Sequence, residues 1–451
     1  MNTLFFDYSI GEIVKKTKDK ELKPDEITAA ALGNIKELDP KYFAWVVYGN
    51  EELFAQMRSR QDEICGNNPR LLENIPVGVK DIFNTSDFPA QMGSPLWKDF
   101  TPGNDARAVF NLKRRGALIM GKTITAEFAV HALNETLNPY DPAKTPGTSS
   151  SGSAAATALG MVPAAIGTQT AGSIIRPASF CGVYGCKPSF GLIPRTGALK
   201  TTDTLDTIGF FAVHLKDLRV IFDGLRVWGE NYPIGNSALT DSARQKKPQG
   251  RPWRVGFVRT YTWKSAPLYA REALERFMQN LTAQNDVGIK EATLPEAMQQ
   301  THAAHETIYN KALSYYFERE YRQADFVSKI MNELVQRGRE IGVEEYKRAL
   351  ALQAELIFRM DSFFRDFDVI ISLSTAGEAP LRKTAEMPDP ALIWTLTHLP
   401  AVNVPLFKTA SGMPFGMQIA ARKYNDYLLF EFLDYLQEQG LIPAKSAPPW
   451  E

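Results

Sequence analysis

Serine supplies the chemistry this chain can do. Ser149, Ser150, Ser151 and Ser153 crowd into GTSSSGS at 147–153, and Ser173 ends the tight turn Thr170-Ala171-Gly172-Ser173. Both segments lie within Thr145–Cys186, 42 residues with seven glycines and a single charge, Arg176, where the chain-wide charged fraction of 23% would give about ten. A stretch that poor in charge belongs to a core, and hydroxyls in a core need partners or a task. Taken alone, GTSSSGS reads as a turn or a flexible linker. Here it runs straight into an alanine-rich helix and an apolar strand, not into charged or proline-rich chain. A phosphate cradle would need a Gly-Lys-Ser/Thr ending, which is missing, and no GxSxG nucleophile elbow occurs. A serine hydrolase with another base stays open. Lysine can act as that base if desolvation lowers its pKa toward neutrality, and a second hydroxyl can relay the proton.

IPVGVKDIF at 75–83 puts Lys80 at the end of a short apolar strand. A lysine there is ordinarily a solvated edge charge. His302, His305 and Glu306 fall together in THAAHETIY, but the order is not that of a metalloprotease and no third ligand is evident. That segment reads as an exposed helix. No metal and no cofactor is expected.

The elements that must position the serines alternate strand and helix. Residues 9–50 read as two helices, opened by the Ser9/Glu12 capping-box spacing and by Pro24 with Asp25 and Glu26. ARAVFNLKRRG reads as a helix before the strand ALIMG, a rhythm that favours a sheet covered by helices. The proline-rich loop NPYDPAKTPG delivers the chain to the serines. A small-residue helix from Ser153 to Leu159 and a buried strand from Met161 to Gly167 follow. Further strands are expected at Arg254–Arg259, Asp368–Leu373, Leu399–Pro405 and Phe415–Ala421. Helices are expected near Leu215–Trp228 and Asp426–Gln439. Residues 236–252 read as a polar surface connection, and 266–366 as charged and helical.

With 51 Lys+Arg against 51 Asp+Glu in 451 residues, no net field draws the chain to nucleic acid or to an anionic membrane. No run of about 18 apolar residues occurs. The three cysteines, Cys65, Cys181 and Cys186, make no disulfide framework and suggest a reducing, cytoplasmic setting.

GVKD at 78–81, NPYDPAKTPGTSSSGSAAA at 138–156 and AIGTQTAGSIIRPASFCGVYGCKPSFG at 165–191 closely resemble the amidase signature hydrolases. GKTITAEFA at 121–129, DVIISLSTAGEAP, LPAVNVP and GMPFGMQIAAR extend the resemblance over nearly the whole chain except about 236–365. It implies an α/β fold, one large domain over 1–451 with a central mixed β-sheet covered by helices. The expected parts are N-terminal helices (1–70), a catalytic core (75–230), a variable helical region (266–366) and the C-terminal part of the core (367–451).

The resemblance further implies an amidase that cleaves a carboxylic amide through an acyl-enzyme, with esters or carbamates as further substrates it allows. The catalytic lysine falls on Lys80, the bridging serine with its cis peptide on Ser149, and the nucleophile on Ser173, 173 − 149 = 24 residues later. Backbone N–H groups of Thr170, Ala171, Gly172 and Ser173 are the expected oxyanion donors. The chain departs from the family pattern at Gln169 (usually Asp), Ala171 (usually Gly), Thr148 (usually Gly) and Ile175-Arg176, where the arginine stands one position late. Gln169 is expected to leave Lys80 without a carboxylate neighbour. Arg176 is expected to be buried, either paired with a carboxylate or poised for an acidic substrate group. The pocket walls are expected from 266–366 and the 374–398 loop, with Tyr309, Tyr316 and Trp394 as lining candidates. The implied partner is a small-molecule amide, and the family's habit allows a homodimer. A glutamine-hydrolysing subunit of a transfer-RNA-dependent amidotransferase resembles the same residues. So would a non-catalytic scaffold that kept the fold.

Overall fold

Strands that must be covered on both faces carry no polar alternation, and this chain has several. In the computed structural model, which describes residues 1–65, 70–384, 387 and 389–451, they pair into one mixed sheet. Eleven strands are found among the described residues: β1 (Trp45–Tyr48), β2 (Pro76–Lys80), β3 (Leu118–Thr123), β4 (Ala164–Gln169), β5 (Tyr184–Lys187), β6 (Thr207–Ala212), β7 (Trp253–Val258), β8 (Val287–Ala292), β9 (Val369–Leu373), β10 (Ala401–Lys408) and β11 (Pro414–Ala421). Their order is β1-β3-β2-β4-β6-β5-β10-β11-β9-β7-β8. Every residue of β2, β3, β4, β5, β6, β9 and β11 is buried, as expected for a sheet with helices on both faces. β1 and β8, at the two ends, mix buried with exposed residues.

The parallel trio β3-β2-β4 places the site. Val77, Gly78 and Val79 pair with Ala164, Ala165 and Ile166 on one side, and Lys80 pairs with Thr123 on the other. The C-terminal ends of β2 and β4 therefore lie side by side, and Lys80 ends a strand in the middle of the sheet.

The expected strands and helices are present, with differences that have local causes. The region read as two helices holds them at Ile10–Lys18, where the Ser9/Glu12 capping box forms, and at Pro24–Tyr42. It also holds the edge strand β1, too short and too half-exposed to announce itself. β4 runs to Gln169, later than expected, because its antiparallel pairing with β6 continues to Thr207. The 236–252 connection takes in the end of the short helix Pro233–Thr240 and all of Ser242–Gln245. β8 interrupts the region expected to be helical; three of its six residues are exposed or charged, and it is held by parallel pairing to β7 alone. Cys181 and Cys186 are buried free thiols. Among the described residues no helix is long and apolar enough to cross a membrane.

One buried ion pair fixes the chain directly after Lys80. Lys122 on β3 lies 3.1 Å from Asp81, both wholly buried, and donates to the carbonyls of Phe83 (2.7 Å) and Pro89 (3.0 Å). Asp81 accepts from the Gln91 N–H at 3.1 Å. Burial pushes the Asp81 carboxyl up and the Lys122 ammonium down, and the attraction between them opposes both shifts. A lone survivor of such a pair is an uncompensated buried charge. Lys122→Met is therefore expected to destabilise the protein by about 3–5 kcal/mol, and the double variant Asp81→Leu/Lys122→Met by less than Lys122→Met alone. Urea unfolding of the single and double variants checks this.

Candidate active site

Lys80 is fully buried, and three hydroxyls surround its Nζ: Ser149 Oγ at 2.8 Å, Ser150 Oγ at 3.0 Å and Thr168 Oγ1 at 3.0 Å. The expectation of a solvated edge charge fails because β2 is a central strand. Burial pushes the Lys80 pKa down from 10.5 to about 7, and the charge of Asp206 acts in the opposite direction.

Ser149 and Ser150 reach the lysine from the end of the loop that opens the Ser151–Ala158 helix, and the Thr148–Ser149 peptide is cis. This segment is tied down from both sides. The Ala126 N–H donates to the Ser149 carbonyl at 3.1 Å, and Ser150 Oγ donates to the Thr168 carbonyl at 3.2 Å. Gly167 makes the second contact possible, since a Cβ there would lie 2.7 Å from Ser150 Oγ. The remaining serines have structural tasks. Ser153 bonds Thr123 Oγ1 (2.7 Å) and the Ile166 carbonyl (3.0 Å), and Ser151 accepts from Asn134 (2.7 Å).

Ser173 closes the turn between β4 and the Ile175–Phe180 helix, five residues after Thr168. The structure thus brings Lys80 and Ser149 into direct contact and sets Ser173 on the adjoining turn. Among the described residues no hydrogen bond joins the two serines. Gly172 is obligatory in this turn, because a Cβ would lie 1.4 Å from Asp389 Oδ2.

Gln169 does not lie beside Lys80, and the expectation that residue 169 sets the charge state of that lysine is corrected. Successive residues of a strand face opposite ways; Thr168 takes the Lys80 side, so Gln169 takes the other. Its Oε1 accepts from the N–H groups of Ile174 (2.8 Å) and Ile175 (2.9 Å), and its Nε2 donates to Thr395 Oγ1 (2.9 Å). The carboxylate that acts on Lys80 is Asp206, which sequence reasoning missed. Asp206 is buried and accepts from the hydroxyls of Thr170 (2.9 Å), Thr201 (2.6 Å) and Thr202 (2.9 Å), and from the N–H groups of Thr201 (2.8 Å) and Thr202 (3.1 Å). Its sequence signal, a lone aspartate before a strand, is too weak to single out.

Arg176 is buried, with Nε 3.7 Å from Asp389 Oδ2. It lines a cavity of about 590 Å³ that also borders Thr148, Ala171, His305 and Tyr309. A second cavity, of about 320 Å³, lies against Thr168, Thr170 and Asp206. Of the expected lining residues only Tyr309 borders the larger cavity. Trp394 is wholly buried in the core, and Tyr316 bonds Asp203 at 2.9 Å instead. The exposed-helix reading fails for His305, which is buried, while His302 stays partly exposed. The Thr301–Tyr316 helix packs its His305 face inward, and His305 Nε2 lies 2.8 Å from the Thr170 carbonyl. Among the described residues no group of three or more His, Cys, Asp or Glu is disposed to hold a metal ion.

Comparison with known proteins identifies the family. The family profile described as Amidase matches residues 26–430. A glutamyl-tRNA(Gln) amidotransferase subunit of Anaeromyxobacter sp. (strain K) is 30% identical, over 95% of this chain and 96% of that protein. A putative amidase AmiD of Mycobacterium bovis is 26% identical, over 93% and 91%. The native peptide amidase from Stenotrophomonas maltophilia superposes with a TM-score of 0.81 at 23% identity, covering 98% of each chain, and shares the fold. The chain belongs to the amidase family, the amidase signature enzymes that hydrolyse amides.

Proposed function

We propose that this protein hydrolyses a small carboxylic amide through an acyl-enzyme on Ser173, with Lys80 as base and Ser149 as the proton relay. The observation that carries the proposal is the buried Lys80 amine amid three hydroxyls, held near neutrality by desolvation. A neutral amine has two N–H donors and one lone pair. Ser150 directs its proton to the Thr168 carbonyl, so its oxygen accepts from the lysine. Thr168 Oγ1 takes the second N–H, and the lone pair remains for the proton of Ser149. Ser149 then draws the proton of Ser173 as Ser173 Oγ attacks the amide carbon. Negative charge gathers on the carbonyl oxygen, where the N–H groups of the 170–173 turn stabilise it. The C–N bond breaks as the proton returns from Lys80 through Ser149 to the leaving nitrogen. Water, activated by the same pair, releases the carboxylate.

The similarity to an amidotransferase component over nearly the full length supports a second reading, a glutamine-hydrolysing subunit that works with partner chains. Turnover of simple amides by the purified chain alone, without preference for glutamine, decides for the free-standing amidase.

Ser173→Ala is expected to abolish both turnover and labelling by a fluorophosphonate; mass mapping of the labelled peptide checks the site. Lys80→Ala and Ser149→Ala are each expected to lose several orders of magnitude in kcat, with the double variant little worse than either, because members of one relay are not additive. Multiplicative losses would exclude the relay.

The base works only when neutral, so kcat/KM is expected to rise with pH through about 7 and then level off. Asp206 favours the ammonium form. Asp206→Asn is therefore expected to move this acid limb to lower pH, whereas Gln169→Asp, on the opposite face of β4, leaves it in place. The pH profiles of the three proteins test the assignment.

A further inference from the structure

The turn from Thr170 to Ser173 is held from behind. In a trans peptide the C=O of one residue and the N–H of the next point in opposite directions, so fastening a carbonyl aims the N–H that follows. Three successive carbonyls are fastened here. Thr170 O accepts from His305 Nε2 at 2.8 Å, Ala171 O from Thr395 Oγ1 at 2.6 Å, and Gly172 O from the Arg176 N–H at 2.8 Å. The N–H groups aimed in this way are those of Ala171, Gly172 and Ser173. Among the described residues none of the three has a protein acceptor. Ala171 also borders the larger cavity.

The third bond is the ordinary opening of the Ile175–Phe180 helix. The first two come from side chains 135 and 224 residues away in sequence. Both have their protons assigned by their surroundings. A carbonyl only accepts, so His305 Nε2 carries the hydrogen, and burial holds the ring's pKa down at about 4, which keeps it neutral. Thr395 has one hydroxyl proton and two acceptors in range. Its oxygen already accepts from Gln169 Nε2 at 2.9 Å, and the Ala391 carbonyl is distant at 3.5 Å, so the proton goes to Ala171 O. Gln169 is suited to this place in a way that a carboxylate is not. Its oxygen receives the Ile174 and Ile175 N–H groups while its nitrogen donates to Thr395.

We infer that His305 and Thr395, with Gln169 behind Thr395, are positioning residues that aim the Ala171 and Gly172 N–H groups at the oxyanion. The inference rests on the acyl-enzyme reading above. None of the three side chains takes part in bond making; each acts through the turn's carbonyls. Their contribution therefore grows as charge develops on the substrate oxygen and is small in the ground state.

The test measures the second-order rate of Ser173 labelling by a fluorophosphonate, together with kcat and KM on whichever simple amide the wild type turns over. Thr395→Val keeps the shape and removes the hydroxyl, and is expected to slow labelling and lower kcat about 10- to 100-fold with KM changed less than about threefold. Thr395→Ser restores the hydroxyl and is expected to recover to within about threefold of wild type. His305→Phe keeps the ring against Tyr309 and removes the donor, and is expected to lose kcat to a similar extent. Should Thr395→Val fail to fold, His305→Phe together with Thr395→Ser decides. Variants that label and turn over at the wild-type rate overturn the inference. So does a raised KM at unchanged kcat in His305→Phe, which marks a substrate contact only, and so does a Thr395→Ser variant as slow as Thr395→Val. Wild-type protein that is not labelled at Ser173 overturns the acyl-enzyme reading and this inference with it; labelled wild type with unaffected variants overturns this inference alone.

Discussion

A primary amine with no access to water is the constraint from which the rest of this site follows. Moving an ammonium out of water is unfavourable, and the response open to a protein is to lower the group's pKa until the neutral form is populated. Lys80 is held in that condition by its place at the end of a central parallel strand, with β3 on one side and β4 on the other. An amine at an edge strand would be solvated and fully protonated at neutral pH, and no arrangement of nearby serines would make it a base. The hydroxyl shell of Ser149, Ser150 and Thr168 satisfies the neutral amine without adding charge. Asp206, the carboxylate that acts on it, is engaged by five donors of its own. The lysine therefore feels its field without forming an ion pair that would pin the proton.

The same reasoning accounts for the neighbouring pair. Lys122 and Asp81 are as buried as Lys80, yet each has its opposite charge at 3.1 Å. Two lysines on adjacent strands thus serve opposite ends. One is kept paired, to hold the 81–92 segment against the sheet, and the other is kept apart from any carboxylate, to remain titratable. Sequence position does not separate them; the residue within reach of each nitrogen does.

How far the site could be read from the sequence divides along the same line. The poverty of charge in Thr145–Cys186, its seven glycines and its serine clusters identify a packed, polar-studded core segment, because such a combination has few structural uses. Lys80 is legible only through the resemblance; on its own, IPVGVK is any strand ending in lysine, and whether that strand is central or at an edge is decided by pairing partners 40 to 90 residues away. β1 and β8 carry weak sequence signals because edge strands need only half an apolar face. β4 extends two residues past the Gly167 end that its apolar run suggests, and the period-two alternation that carries Thr168 toward Lys80 carries Gln169 to the opposite face. His305, Thr395 and Asp206 reach the site across 135 to 226 residues or by a short return of the chain; Thr395 and Asp206 carry no signal in their own segments, and the His302/His305 spacing of THAAHETIY says nothing of the Thr170 carbonyl.

The positions of His305 and Thr395 tie two separate helices to the turn that holds Ser173. His305 stands on the Thr301–Tyr316 helix, and that helix also carries Tyr309 to the wall of the larger cavity. Thr395 stands on the Leu392–Leu396 helix, a few residues after Asp389, which contacts Arg176. The two helices that border the cavity region thus also supply the donors on the Thr170 and Ala171 carbonyls. A carboxylate at 169 would brace the turn through its N–H groups alone, whereas the amide of Gln169 also orders the Thr395 hydroxyl and so brings the Leu392–Leu396 helix into the same brace. The amide at 169 makes this second bond without adding a charge near Lys80.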